Sequence, residues 1–298
     1  MTRRKIMKLV TSTNTLCLRL GIKEAIRIIK ESGFDGYDCG IQRIVSQSNP
    51  KDREYYLELA HEIREYSDSL GIPCLQTHSV SASLNSPEVY DKCFALESLS
   101  VEMSAILGAD VCVVHPAFYM NVEENYDQFY SKLTPIAKAG GFKVATENMF
   151  GGKHFPDKGY QYYPHVCGTS EDFVHAIDYA KDPNYTACLD IGHASLINHE
   201  GAPALIHALG HNRLKALHVH DNDVIHDSHL FPYFGKINWN DVCRALAEID
   251  YTGHFTFEAD GGYLNLPNEL LADGCALLAK IGRQLISRIE YYKANPEA

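Results

Sequence analysis

Eight short apolar runs, each followed by a longer amphipathic stretch, constrain this chain more than any other feature of it. The runs are KLVTST (8–13), GYDCGI (36–41), IPCLQTH (72–78), VCVVH (111–115), KVATEN (143–148), TACLDIGH (186–193), LKALHVHD (214–221) and HFTFEA (254–259). They are rich in Val, Ile, Thr and aromatic residues, and their length suits strands buried on both faces. Helical patterns separate them at 22–33, 53–71, 87–108, 124–140, 170–182, 202–210 and 238–250, with a last one from about residue 268. Gly33, Gly71, Gly108, Gly140 and Gly210 stand at the ends of helical patterns, where a left-handed cap is favoured. Strands alternating with helices pair in parallel, with the helices outside. Eight repeats in 298 residues predict an α/β fold, a (β/α)8 TIM barrel formed as one domain over residues 1–298. A doubly wound open sheet is the competitor. It would open on a glycine-rich turn for a nucleotide, whereas the first turn here reads TSTNTLCLRLG.

Charge narrows the partners. With 27 basic against 38 acidic residues the net charge is −11, a surface that repels phosphate backbones and anionic lipid. Neither nucleic acid nor a membrane is therefore expected as a partner, and no run of about 18 apolar residues suggests a span. The apolar part of the basic start MTRRKIMKLV is too short for a signal peptide. Nine scattered cysteines without a CxxC pair read as reduced core residues of a cytoplasmic protein.

Chemistry-bearing residues gather at one end of the predicted strands. His78 ends the third strand, His115 the fourth, Glu147 the fifth, Asp190 the sixth, His218 the seventh and Glu258 the eighth. In a (β/α)8 barrel that end carries active sites. Burying so many carboxylates and imidazoles together is costly without a cation, so a divalent metal is expected among them.

The motifs ATEN (Glu147), LDIGH (Asp190, His193), HVHD (His218), DSHLFPYFGKINW (Asp227, His229) and FTFEAD (Glu258) resemble those of the xylose-isomerase-like TIM-barrel superfamily. That group joins sugar-phosphate isomerases and epimerases with endonuclease IV-type enzymes. Carried over from the epimerase branch, the resemblance implies one divalent ion held by Glu147, Asp190, His218 and Glu258. His218 is preferred to His220 because the family's ligand opens an H-x-x-D unit, although the two side chains alternate to the same side. Three carboxylates and an imidazole favour Mn2+, with Mg2+, Co2+ or Zn2+ as alternatives. Glu147 and Glu258 are then also the acid–base pair of a sugar or polyol isomerase or epimerase in carbohydrate metabolism. They would abstract and return a proton beside a carbonyl through a metal-stabilised enediolate. The substrate-binding candidates are His193, His78, His115, His220, Asp227 and His229.

Two other reactions suit the same residues. An inosose dehydratase-like lyase shares the first proton abstraction. An endonuclease IV-like phosphodiesterase would hold three zinc ions with His78, His115, Glu147, Asp190, His193, His218, Asp227, His229 and Glu258. The acidic surface opposes the second of these. Hexulose 3-epimerases of the family carry an arginine after the strand-seven histidine, and VHDNDVIHD has none. No phosphate cradle is evident either, with only Lys153, Lys158 and Lys236 available in loops. The long loop 149–169 reads as a lid over a polyol, its Tyr160, Tyr162, Tyr163 or His165 stacking on substrate, or else as a surface Ω-loop. Asp38 is expected to cap a turn or touch substrate, and Trp239 to pack the last helix onto the barrel. The C-terminal SRIEYYKANPEA is expected to be a frayed helix end or a contact in a homo-oligomer.

Overall fold

Strands this apolar must lose water on both faces, and the computed structural model, which describes residues 7–46, 51–155, 157, 159–197 and 199–297, arranges them so. Eight strands run parallel in one sheet. They are β1 (Leu9–Ser12), β2 (Gly36–Gly40), β3 (Cys74–His78), β4 (Val111–Val114), β5 (Lys143–Glu147), β8 (Tyr185–Asp190), β9 (Leu214–His218) and β10 (Phe255–Phe257). Strands β6 (Phe150–Phe155) and β7 (Gly159–Pro164) form a separate antiparallel hairpin. The order β10-β1-β2-β3-β4-β5-β8-β9 leaves one seam. It is closed just past the end of β9, where Val219 N donates to Thr256 O at 2.9 Å and Glu258 N to Val219 O at 3.2 Å.

Helices pack outside, and the main core lies between them and the barrel, around residues such as Leu9, Ile26, Phe129, Leu205, Phe257 and Leu285. A second, small apolar layer of Val111, Val113, Ala145, Cys188 and Ala216 fills the barrel interior. Asp38 also points inward and is buried. Its Oδ2 accepts from Gln76 Nε2 at 3.1 Å, and Thr256 Oγ1 donates to Gln76 Oε1 at 3.1 Å. The expected turn cap or substrate contact at Asp38 is therefore corrected to an interior polar chain.

Other departures have local causes. The first turn hides a helix, Asn14–Leu20, too short for a periodic pattern to be legible. The helix Ser131–Gly140 is capped by Gly141 (φ 77°) and not by Gly140. The loop 149–169 is not an Ω-loop but contains the β6–β7 hairpin. The C-terminal helix Leu271–Ala294 does not fray early, because half-buried Lys293 donates from Nζ to Tyr251 O at 2.8 Å and pairs with Asp250 at 3.1 Å. Trp239 is buried at the start of the helix Trp239–Glu248. All nine cysteines are free thiols, eight of them buried. No described helix is long and apolar enough to cross a membrane.

Candidate metal centre

Parallel strands in register deliver their last residues to a common level. Asp190 pairs with His218 across β8 and β9, and Glu147 with Cys188 across β5 and β8. The result is a group of donor atoms from Glu147, Asp190, His218 and Glu258, all within 4.8 Å of one another and all buried. His218 presents Nδ1 to the group, 3.2 Å from Glu147 Oε2, 3.3 Å from Glu258 Oε2 and 4.0 Å from Asp190 Oδ2. An ion with ligands at about 2.1 Å needs donors no more than about 4.2 Å apart, so a slight contraction of this group would satisfy one. Glu147 Oε2 and both ring nitrogens of His218 are buried without a hydrogen-bond partner. Orphaned buried atoms of this kind are expensive, and a divalent cation would satisfy Glu147 Oε2 and His218 Nδ1, the nitrogen that faces the carboxylates, together.

Asp190 is held in place by its neighbours. Asp190 caps the short helix Ile191–Ala194, its Oδ1 accepting from His193 N at 2.7 Å, so the strand ends where the carboxylate is needed. The Asn148 side chain clamps β5 to β8: Asp190 N donates to Asn148 Oδ1 at 2.7 Å, and Asn148 Nδ2 to Asp190 O at 3.0 Å. His220 Nε2 lies 3.1 Å from Asp190 Oδ2, and its ring packs so tightly on Gly192 that a Cβ there would lie 1.8 Å from His220 Cε1. This explains the glycine of LDIGH. His193 meets the Asn148 carbonyl through Nδ1 at 2.9 Å, leaving Nε2 3.5 Å from Asp227. Neither Asn148 nor Gly192 was assigned a role in the sequence reading, although both stand inside its motifs.

The segment bearing Asp227 and His229 is folded around Asp221. Its Oδ1 accepts from the amides of Asn222 (2.8 Å) and Ile237 (3.1 Å), and its Oδ2 from the Tyr233 amide (2.9 Å) and Trp239 Nε1 (2.8 Å). His229 is held against Asp227 Oδ2 at 3.1 Å and the Glu258 carbonyl at 2.7 Å, its ring stacked on His220 at 3.8 Å between centroids.

Three further sets of donors stand at ligand spacing: His78, His115 and Glu147; His78, His218 and Glu258; and His193, His220, Asp227 and His229. Electrostatics in the cluster are mutual. Burial alone would raise the Glu147 carboxyl, but His218 and His115 beside it hold it well below the usual carboxylate range. Burial would likewise lower the His78 imidazole, but Glu147 and Glu258 lift it to about 9. His193 is raised to about 10 against its burial by Asp190 and Asp227. Imidazoles that hold protons against carboxylates must release them to bind a cation, so metal affinity at this centre rises with pH.

Above the cluster lies an open cavity of about 320 Å³, lined by His78, His115, Glu147, His193, Asp227, His229 and Glu258 and also by Gln42, Ser81, Phe118, Met149 and Phe150. Its volume falls at the low end of the roughly 300–1,000 Å³ common for small-molecule sites. No lysine or arginine lines it among the described residues; Lys158 lies outside them.

The fold thus gathers every residue predicted for the site, but not in equal roles. His220 is fully buried behind Asp190, so the substrate contact expected of it is corrected to orientation of a carboxylate. The aromatic wall expected from the tyrosines of the long loop is built by Phe118 and Phe150. Tyr162 braces Phe150 edge-on at 5.0 Å, and His165 lies 5.1 Å from Phe118. The Tyr160 side chain lies outside the described residues.

A family model described as xylose isomerase-like TIM barrel matches residues 24–281. Uncharacterized protein y4fM of Sinorhizobium fredii is 37% identical over 275 residues, covering 80% of this chain and 81% of its own length. Fructoselysine 3-epimerase of Escherichia coli O157:H7 is 28% identical over 106 residues, 36% of this chain and 38% of its own. Probable endonuclease 4 of Mycoplasmopsis pulmonis is 27% identical over 174 residues, 55% and 58% of the two chains. Among solved structures, a D-tagatose 3-epimerase-like protein superposes with a TM-score of 0.67 at 23% identity, over 98% of this chain and 100% of its own, a likeness of fold.

Proposed function

The chain belongs to the xylose isomerase-like TIM-barrel family, and from that premise we propose that it isomerises or epimerises a sugar or polyol-derived keto compound with one divalent ion, Mn2+ before Mg2+, Co2+ or Zn2+. The observation that carries the reading is the convergence of Glu147, Asp190, His218 and Glu258, with their orphaned buried atoms, beneath a small cavity that no lysine or arginine among the described residues lines. An ion held by those four residues would act as a Lewis acid on a carbonyl and its neighbouring hydroxyl. Glu147 and Glu258 reach the cavity from β5 and from just beyond β10, each with a carboxylate that can accept a proton. One would take the proton beside the carbonyl and the other return it, which inverts the carbon if they act on opposite faces. His193, fixed through Nδ1 by the Asn148 carbonyl, would offer Nε2 to a substrate oxygen. Phe118 and Phe150 would keep bulk water from that part of the cavity. The partial match to fructoselysine 3-epimerase supports a sugar substrate.

A trinuclear phosphodiesterase is the second reading. What favours it is that His78, His115, His193, Asp227 and His229 also stand at ligand spacing, together with the match to an endonuclease 4. The net charge of −11 opposes it, because a nucleic-acid enzyme needs a basic footprint. Metal analysis of the purified protein, paired with a keto-sugar and polyol screen, separates the two. One tightly bound ion per chain and turnover of a keto compound are expected. Three zinc ions per chain, or cleavage of abasic-site DNA at ordinary salt, would overturn the epimerase reading.

A further inference from the structure

The helix Tyr90–Leu107 buries a polar stripe among its apolar contacts, which include Leu96, Val101, Met103 and Leu107. Glu97, Ser100 and Ser104 are all buried. Their spacing of three and four residues puts them on one face. Ser104 meets Thr77 of β3 at 2.7 Å between hydroxyl oxygens, which ties the helix to the strand. The other two reach past the strand to the loop that follows it. Val80 N donates to Ser100 Oγ at 3.2 Å, and Ala82 N to Glu97 Oε1 at 2.6 Å.

That loop carries a residue under strain. Ser81 has φ 51°, a left-handed conformation that a side chain other than glycine, Asn or Asp adopts only when its surroundings hold it there. In this conformation Ser81 lines the cavity, and its Oγ stands 3.2 Å from His78 Nδ1. The opposite nitrogen of His78 lies 3.7 Å from Glu147 and 3.8 Å from Glu258. Glu97 itself does not line the cavity.

We propose that Glu97 is a positioning residue: from behind the barrel wall it holds Ser79–Ala82 in the form that sets Ser81 and His78 against a bound substrate. The proposal rests on reading the cavity as the substrate site. A carboxyl is a costly group to bury at a helix–barrel interface. Burial lifts this one to about 7, against the pull of the Ser79 hydroxyl and the Ala82 amide. A merely space-filling role would be served better by leucine, which offers the Ala82 amide nothing. What the carboxyl supplies is an acceptor at the one backbone donor that follows the strained residue.

The test compares Glu97→Ala and Glu97→Gln with the wild type, each loaded with Mn2+, by amide hydrogen exchange and by kinetics on whichever keto-sugar the wild type turns over. In Glu97→Ala the amides of residues 79–82 should exchange at least about tenfold faster while those of β4 keep their protection. KM should rise about tenfold with kcat changed less than about threefold, because ground-state positioning is what is lost. Glu97→Gln keeps an acceptor oxygen for Ala82 N and should restore both. Wild-type exchange in the loop of Glu97→Ala, loss of protection in β4 as well, or failure of glutamine to rescue would each overturn the inference. If the wild type turns over no keto-sugar, the functional reading fails, while the exchange arm still decides the role of Glu97.

Discussion

Replacing Asp221 by asparagine removes half of the acceptors around which the segment 222–239 is folded. In the native protein the carboxylate accepts four bonds, two at each oxygen, from the amides of Asn222, Ile237 and Tyr233 and from the Trp239 indole. An amide side chain is nearly the same size, so no cavity opens. It can still serve one pair of donors with its oxygen, but its NH2 then faces the other pair. Two buried donors left unsatisfied cost about 1–3 kcal/mol each, so Asp221→Asn should lose about 2–6 kcal/mol. That is a large part of the 5–15 kcal/mol typical of a folded protein. Trp239 is the chain's single tryptophan and one of the four donors, so it reports on the site directly. Urea unfolding followed by its fluorescence should show the lower stability, and its native emission should shift as the indole loses its acceptor. Because the same segment carries Asp227 and His229, their arrangement at the cavity should loosen too. A loss below about 1 kcal/mol with unchanged emission would refute the claim that Asp221 organises the loop, since that is the scale of an ordinary exposed polar contact.

Three more outcomes are expected. Glu258→Gln keeps one coordinating oxygen but cannot take a proton, so Mn2+ affinity should fall modestly while turnover falls by at least about 10²-fold. In heavy water the wild type should wash solvent deuterium into the carbon beside the substrate carbonyl, detectable by mass spectrometry; turnover without label would mean a hydride shift and leave the two glutamates as ligands only. Asp38 is raised from 3.8 to about 6, chiefly by burial. Its folded form therefore keeps a proton that the unfolded chain has released, so its contribution to stability falls as pH rises from about 4 to 6. Asp38→Asn lacks that loss and should gain on the wild type across this window, by up to about 3 kcal/mol at about 1.36 kcal/mol per pH unit. Urea unfolding of both proteins at pH 4 and pH 8 measures the difference, and a difference that does not change with pH rules the argument out.

Some of the site was legible because its cause is local. A strand that ends in a histidine or a carboxylate declares itself in a few consecutive residues, as VCVVH and KVATEN do. The residues that orient those ligands do not declare themselves. Asn148 acts on a backbone 42 positions away, Asp221 on an indole 18 positions away, and Glu97 on an amide 15 positions back across a helix–strand gap. Along the chain Asn148 and Asp221 look like any polar residues near a loop, and Glu97 like any charged residue of a helix. Phe150 and the tyrosines are not told apart along the chain because the pairing of β6 with β7 decides which ring of the long segment turns inward, and Phe118 comes from a different loop.

The repeat of eight apolar runs determined the barrel by itself, since periodicity and burial act over neighbouring residues and parallel pairing follows from the intervening helices. Equally, it determined which end would carry ionisable side chains. Only the tertiary structure decided how those side chains divide their work. Strand alternation turns His218 and His220 to the same side and does not by itself separate them. They part because the ladder with β8 ends at the pair Asp190–His218, which keeps His218 among the carboxylates. His220, two residues past that pair, is drawn behind Asp190 into the space left by the missing side chain of Gly192.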